Sequence, residues 1–174
     1  MEAVAAAPPN FRAMKEDRDA YPITGSSSRT LGVRIDGPSR DILVAMDGTV
    51  SPRTGGMSVA LDTAQNLPKH RLPKSLGGEG RDPVFKMWSA ALPASLFVSP
   101  DRYPHALVEP AVVCLFEHYE KNRWGTRGSW SNAYDGGSQH HEGIRALPPV
   151  GASSLADSLA ECGRRVVRGR RGPR

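Results

Sequence analysis

The amino-acid sequence predicts an α+β fold of short, mostly antiparallel strands with one main helix after the last core strand. A chain of 174 residues that is 39% hydrophobic can bury one modest core. Its 18 glycines and 15 prolines favour many turns between short strands over a bundle of helices. Apolar residues alternate in several short runs and take helical spacing in one stretch, which together predict this class.

Six short runs carry strand patterns. Most of them combine apolar or β-branched residues with turn formers at their ends, which is typical of strands in a turn-rich domain. The predicted strands cover residues 30–36, 41–45, 57–61, 84–88, 94–98 and 105–109. In the last of these strands, alternation puts His105, Leu107 and Glu109 on one face of the sheet.

The main helix is predicted from Val112 to Trp124. Pro110 precedes it and suits a helix start, and Gly125 is expected to end it. The apolar residues at helical spacing are Val112, Leu115, Phe116 and Tyr119.

The predicted domain covers residues 29–130. Residues 1–28 mix alanine, proline and charged residues and end in a Gly-Ser run, so we expect a mobile N-terminal arm. Residues 131–174 lose apolar periodicity and end in a basic, glycine-rich segment, so we expect a low-complexity, disordered tail.

The positive charge belongs to the tail. The net charge is +5, but six arginines lie beyond residue 163 and no acid follows Glu161, so removing those six charges leaves −1. Nucleic-acid binding is therefore expected only through the tail.

The cysteines and the N-terminal sequence bear on localisation. Cys114 and Cys162 do not form a Cys-x-x-Cys motif, and the sequence shows neither a cleavable signal nor a membrane span. We expect a cytoplasmic protein that makes no membrane contact, or one delivered into another cell without a cleavable signal.

The stretch DGTVSPRTGGMSV, residues 47–59, contains the first candidate site. Gly55 and Gly56 allow a close backbone approach, and Ser58 then places a hydroxyl in a short apolar strand. Such a pattern lets a flat ligand lie against the backbone while the hydroxyl meets its polar edge. The alternative is a hairpin whose glycines serve its geometry alone.

Two further features are candidates for a site. His105 and Glu109 would lie about 13 Å apart along their strand, at roughly 3.3 Å per residue, so each needs its own partner. The loop from Thr63 to Asp82 is rich in turn formers and is long for a compact domain, so it either covers a site or lies on the surface.

Metal and hydrolase patterns are weak. His140, His141 and Glu142 lack the helical spacing that aims two imidazoles at one ion, so no metal site is predicted. A serine hydrolase could use Ser58 and His105, but the sequence has no nucleophile elbow and no identified acid.

The segments DGTVSPRTGGMSV, PHALVEPA and TRGSW, in this order, resemble the type VI secretion exported toxin family. The resemblance covers roughly residues 30–130. It implies an ADP-ribosyltransferase-like fold, NAD as substrate, transfer of ADP-ribose to a macromolecular target in the cytosol, and an immunity protein as a partner. It implies that Ser58 and His105 correspond to residues of the family's NAD-binding and catalytic cleft.

The resemblance also implies a role for each cleft residue. Gly55 and Gly56 would form a slot for nicotinamide, Ser58 would hold an edge of the ring or a ribose, His105 would hold ribose hydroxyls, and Arg34 would offset the diphosphate charge. Ser58 and His105 are the catalytic candidates, and Arg34, Gly55, Gly56 and Ser58 are the cofactor-binding candidates.

Two alternatives stay open. Met57 stands where the family can have a second hydroxyl, and the glutamate of well-studied ADP-ribosyltransferases has no clear match. The domain could therefore be an inactive binding or interaction module with the same fold. It could also be a nucleic-acid binder or ribonuclease that uses His70 and His105.

Overall fold

The structure, a computed structural model, describes residues 7–134. This part of the chain forms an α+β fold with eight strands and one α-helix. The strands are β1 (Pro9–Ala13), β2 (Thr49–Val50), β3 (Met57–Leu61), β4 (Val84–Trp88), β5 (Leu96–Arg102), β6 (His105–Pro110), β7 (Cys114–Leu115) and β8 (Ser131–Tyr134), and the helix is α1 (Phe116–Gly125). Short 3₁₀ turns cover Ala64–Asn66, Lys74–Leu76, Ser89–Ala91 and Arg127–Ser129.

Six strands form one antiparallel sheet in the order β5-β6-β3-β1-β4-β8, and β2 pairs with β7 in a second, two-stranded sheet. The first strand lies inside the large sheet, where Phe11 opposes Ala60 of β3 and Lys86 of β4. The prediction of a mobile arm over residues 1–28 is therefore wrong for β1. The strand β1 has few apolar residues and is stabilised by strand pairing on both sides, which its local sequence does not indicate.

Both faces of the large sheet are covered. One face packs against α1 and the loops before β3, in a core that includes Leu31, Ile42, Phe85 and Tyr119. The other face packs against the loop between β3 and β4, where Leu67 and the neighbouring apolar residues Ala64 and Leu72 cover Phe11, Ala13, Ala60 and Val84. The loop from Thr63 to Asp82 is thus part of the fold as well as a surface segment.

The strands predicted at residues 30–36 and 41–45 do not form. Both segments make only isolated bridges, from Leu31 to Thr24 and from Ile42 to Gly55, although Leu31 and Ile42 are buried. The chain instead folds back on itself, because the Asp41 backbone N–H donates to the Arg34 carbonyl. Apolar alternation here reflects burial against the sheet and not membership of it.

Three element boundaries also differ from the predictions. The helix starts at Phe116 and not at Val112, because Cys114 and Leu115 pair with β2. The strand predicted at 94–98 lies at Leu96–Arg102 and contains Pro100, which an edge strand tolerates. Residues 131–134, assigned to the tail, form the edge strand β8. The other predicted tail residues, including His140, lie outside the described range.

The strands predicted at 57–61 and 84–88 are present with these bounds, and the strand predicted at 105–109 extends to Pro110. Within residues 7–134, no helix is both long and apolar enough to cross a membrane.

Candidate functional site

A cavity of about 270 Å³ opens between the β3–β6 region of the sheet and the loop that follows β3. Three of the predicted site residues, Ser58, His105 and Arg34, line it. The loop contributes His70 and Arg71 to its wall. The other lining residues are Arg12, Ala13, Ser28, Asp41, Val59, Ala60, Asn66, Leu67, Pro68 and Pro104.

Strand pairing explains why Ser58 and His105 meet. Ser58 opposes Leu107, and His105 opposes Ala60, so Ser58 and His105 lie on the same face as diagonal neighbours in adjacent strands. Diagonal neighbours are typically about 7–8 Å apart, within reach of a long side chain. The structure thus brings together two residues that are far apart in sequence.

His105 has an acidic partner. Its Nδ1 atom lies 3.1 Å from Asp101 Oδ2, across the hairpin between β5 and β6. The two side chains are 42% and 60% exposed, so this pair lies at the surface end of the cavity wall. A histidine that lines a cavity and has one nitrogen held by a carboxylate can accept or donate a proton through the other nitrogen.

Arg12 is the central residue that the sequence interpretation missed. Beyond Phe11, β1 and β3 stop pairing, and the Arg12 guanidinium donates from Nη1 to the Ser58 carbonyl at 2.5 Å. Its other nitrogens donate to the carbonyls of Ser28, Thr30 and Gly32 at 3.0–3.4 Å. The side chain therefore joins β3 to the segment of residues 28–32.

All the hydrogen bonds that hold Arg12 end on neutral carbonyls. The residue is 5% exposed, and no carboxylate of residues 7–134 forms an ion pair with it. Burial and the nearby charge of Arg71 lower the pKa of Arg12 to about 10, and the nearby charge of Asp41 opposes them in part. Arg12 stays charged at neutral pH, so the cavity wall contains a buried cation that has no ion-pair partner among the described residues.

Arg34, by contrast, is already paired. Its Nη2 atom lies 2.7 Å from Asp41 Oδ1, and its backbone N–H also donates to Asp41 at 2.8 Å. Burial raises the pKa of Asp41, but the hydrogen bonds from Arg34 outweigh it, and the net pKa is below its ordinary value. Arg34 is 45% exposed at the rim of the cavity, so its free donors face solvent.

Gly55 and Gly56 do not line the cavity, and the predicted slot is filled by the protein's own backbone. A Cβ atom on Gly55 would lie 2.2 Å from the Asp41 carbonyl oxygen, and one on Gly56 would lie 2.4 Å from that of Val108. The pair therefore allows β3 to approach β6 and the preceding loop closely, as in the alternative interpretation of the motif.

Glu109 is also absent from the cavity lining. It is 1% exposed, and its Oε2 atom has no hydrogen-bond partner within the described part of the chain. Among the described residues that line the cavity, Asp41 is the one acid, and its carboxylate forms an ion pair with Arg34. The cavity thus offers cations, two imidazoles and the hydroxyls of Ser28 and Ser58.

Residues 7–134 contain no group of three or more histidine, cysteine or acidic side chains that could hold a metal ion. Comparison with known proteins gives no match, either to a protein-family model or to a curated protein.

Proposed function

We propose that this domain binds NAD in the cavity described above and transfers ADP-ribose to a macromolecule. The observation that supports this most strongly is the buried Arg12, which has no ion-pair partner among residues 7–134 and lines a cavity that also contains Ser58 and His105. A buried cation without an ion-pair partner is costly, and a bound anion would offset that cost.

The charges of the lining favour a ligand with a diphosphate. Three arginines, Arg12, Arg34 and Arg71, face one aspartate, Asp41. Within residues 7–134, Arg71 donates to the Ser28 carbonyl and hydroxyl, at 3.3 and 2.8 Å, and no acid of this range forms an ion pair with it. Arginine is well suited to phosphate oxygens because its planar guanidinium can donate two parallel hydrogen bonds.

The size of the cavity requires that a dinucleotide extend beyond it. At about 270 Å³ it lies just below the roughly 300–1,000 Å³ range of small-molecule sites. An adjoining cavity of about 360 Å³ shares His70 and Arg71. It adds two cations and two acids, Arg29, Arg81, Glu79 and Asp82, of which Arg29 and Asp82 form an ion pair. We expect nicotinamide and its ribose near Ser58, the diphosphate over Arg71, and adenosine in the second cavity.

The proposed chemistry needs a loosened nicotinamide–ribose bond. The ribose carbon then develops oxocarbenium character, which a site favours by holding the ribose and diphosphate and excluding water. His105 would hold ribose hydroxyls, and Ser58 would hold the amide or ribose edge. The resemblance to type VI exported toxins extends the proposal to a cytosolic target and a neutralising immunity protein.

Calorimetric titration with NAD tests the proposal. Ser58→Ala should weaken NAD binding about tenfold, because one hydrogen bond of about 1.4 kcal/mol is lost. Ser75→Ala is a matched control, since Ser75 is exposed and lines neither cavity. The proposal fails if the wild-type protein does not bind NAD. If the wild type and both variants bind NAD equally well, Ser58 is not part of the NAD site.

Activity separates an enzyme from an inactive binding module of the same fold. The module is favoured by the lack of an unpaired acid among the described cavity residues. An enzyme should release nicotinamide from NAD and arrest the growth of a bacterial host, and His105→Ala should relieve both effects. NAD binding without either effect would support the module.

A ribonuclease is the second candidate, because His70 and His105 line the same arginine-rich cavity. One imidazole would take the proton of a 2′-hydroxyl as its oxygen attacks phosphorus, and the other would protonate the leaving 5′-oxygen. The product would be a 2′,3′-cyclic phosphate, which 2′-O-methylated RNA cannot form. His70→Ala should abolish cleavage, and His118→Ala, an exposed change on α1, should not.

A further inference from the structure

The hairpin between β5 and β6 contains an irregularity at the site. Pro100 opposes Ala106 in the regular ladder, but the next pair joins Arg102 to His105, so Asp101 is an extra residue on β5. Bulges of this kind often lie beside functional sites, where they redirect a side chain. Here the extra residue is the one whose carboxylate lies 3.1 Å from His105 Nδ1.

This contact determines which imidazole nitrogen carries the proton. A carboxylate only accepts hydrogen bonds, so neutral His105 must carry its proton on Nδ1 to make this contact. Nε2 is then unprotonated and can only accept. Because His105 lines the cavity, its accepting nitrogen is the one left for a ligand there.

We infer that Asp101 is a positioning residue that holds neutral His105 with Nε2 as an acceptor, and that this nitrogen selects a hydroxyl of the ligand. A phosphate or carbonyl oxygen has no proton to donate, whereas a ribose hydroxyl does. The second part of the inference rests on the proposed function, because it takes NAD as the ligand. It predicts preference for a ribose over a 2-deoxyribose at this position.

The first measurement needs no ligand. Long-range ¹H–¹⁵N NMR correlations of the imidazoles, recorded where His105 is neutral, should show the Nδ1–H form of His105 in the wild-type protein. Asp101→Ala should shift His105 towards the Nε2–H form. Asp62→Asn is a control at an exposed acid that accepts from Tyr103 and lies outside the cavity lining, and it should leave the His105 form unchanged. An unchanged His105 form in Asp101→Ala would overturn the inference.

The second measurement compares NAD with an analogue that lacks the 2′-hydroxyl of the nicotinamide ribose. The wild-type protein should prefer NAD by about tenfold, and Asp101→Ala should reduce the preference to about twofold. The Asp101 side chain is 60% exposed, so the substitution should leave the fold intact, which the amide spectrum will show.

The outcomes distinguish the two proposals. If neither protein binds NAD, the proposed function fails while the NMR result still decides the role of Asp101. If NAD binds but the preference is the same in Asp101→Ala as in the wild type, the inference is wrong and the contact only ties the hairpin together.

Discussion

Replacing Gly56 by alanine should destabilise the domain because two backbones meet at this residue. The added Cβ would lie 2.4 Å from the Val108 carbonyl oxygen and 3.0 Å from Glu109 Cγ, against at least 3.4 Å for an ordinary contact. The strands β3 and β6 would have to separate locally by about 1 Å, since a backbone carbonyl cannot move aside alone. We expect a loss of about 2–3 kcal/mol in the free energy of unfolding.

Urea unfolding measures this loss. The midpoint should fall while the slope of the transition stays constant, and the melting temperature should drop by about 10 °C for a domain of this size. Gly128→Ala is the matched control, because nothing lies within 4 Å of its added Cβ, and its effect should stay within about 0.5 kcal/mol. Equal midpoints for the two variants would refute the close approach. If Gly56→Ala weakened NAD binding without lowering the stability, Gly56 would instead form part of the nicotinamide slot that the sequence analysis predicts.

Two further predictions concern a buried hydroxyl and a paired acid. Tyr119→Phe should lower the free energy of unfolding by about 1–3 kcal/mol, because the hydroxyl donates to the Val108 carbonyl at 2.6 Å and accepts from the Met57 N–H at 3.2 Å. Urea unfolding should show a lower midpoint, and a wild-type midpoint would mean that these two groups find other partners. Asp41 has a lowered pKa in the folded state, so its ion pair with Arg34 adds stability that is present above the ordinary value of 3.8 and is lost as the pH falls below it. The stability gap between the wild type and Asp41→Asn should therefore narrow as the pH falls from above 3.8 to below it, and a gap that stays constant in urea unfolding across this change would exclude the pairing as its cause.

The core strands were predictable where local pattern and environment agree. The strand β3 is a mostly apolar run that follows a glycine pair, and β6 follows Pro104 with alternating side chains, and both patterns are typical of strands. The strand β1 was not predictable in this way. Its sequence follows prolines and contains Asn10 and Arg12, and its stability comes from partners on both sides that lie far along the chain.

The residues of the candidate site likewise divide into those that the sequence indicates and those that it does not. Ser58 and His105 stood out because each is a polar residue at a marked place in an apolar strand. Arg12 did not stand out, because an arginine in a segment with a weak strand pattern usually lies in solvent. Asp101 did not either, since its role depends on a bulge that only strand register reveals. One signal was available for Arg12, which lies between the apolar residues Phe11 and Ala13. In a half-buried strand, Phe11 and Ala13 would share one face and Arg12 would lie on the other.

The placement of β1 limits when the domain can assemble during synthesis. The strand β1 leaves the ribosome before β3 and β4, the strands on its two sides, and Arg12 needs the Ser58 carbonyl. Such distant pairing slows folding, because long loops must close before their contacts form. Until Trp88 has emerged, the nascent segment has unpaired edges and an exposed Phe11, so we expect it to depend on chaperones and to aggregate when translation stops early.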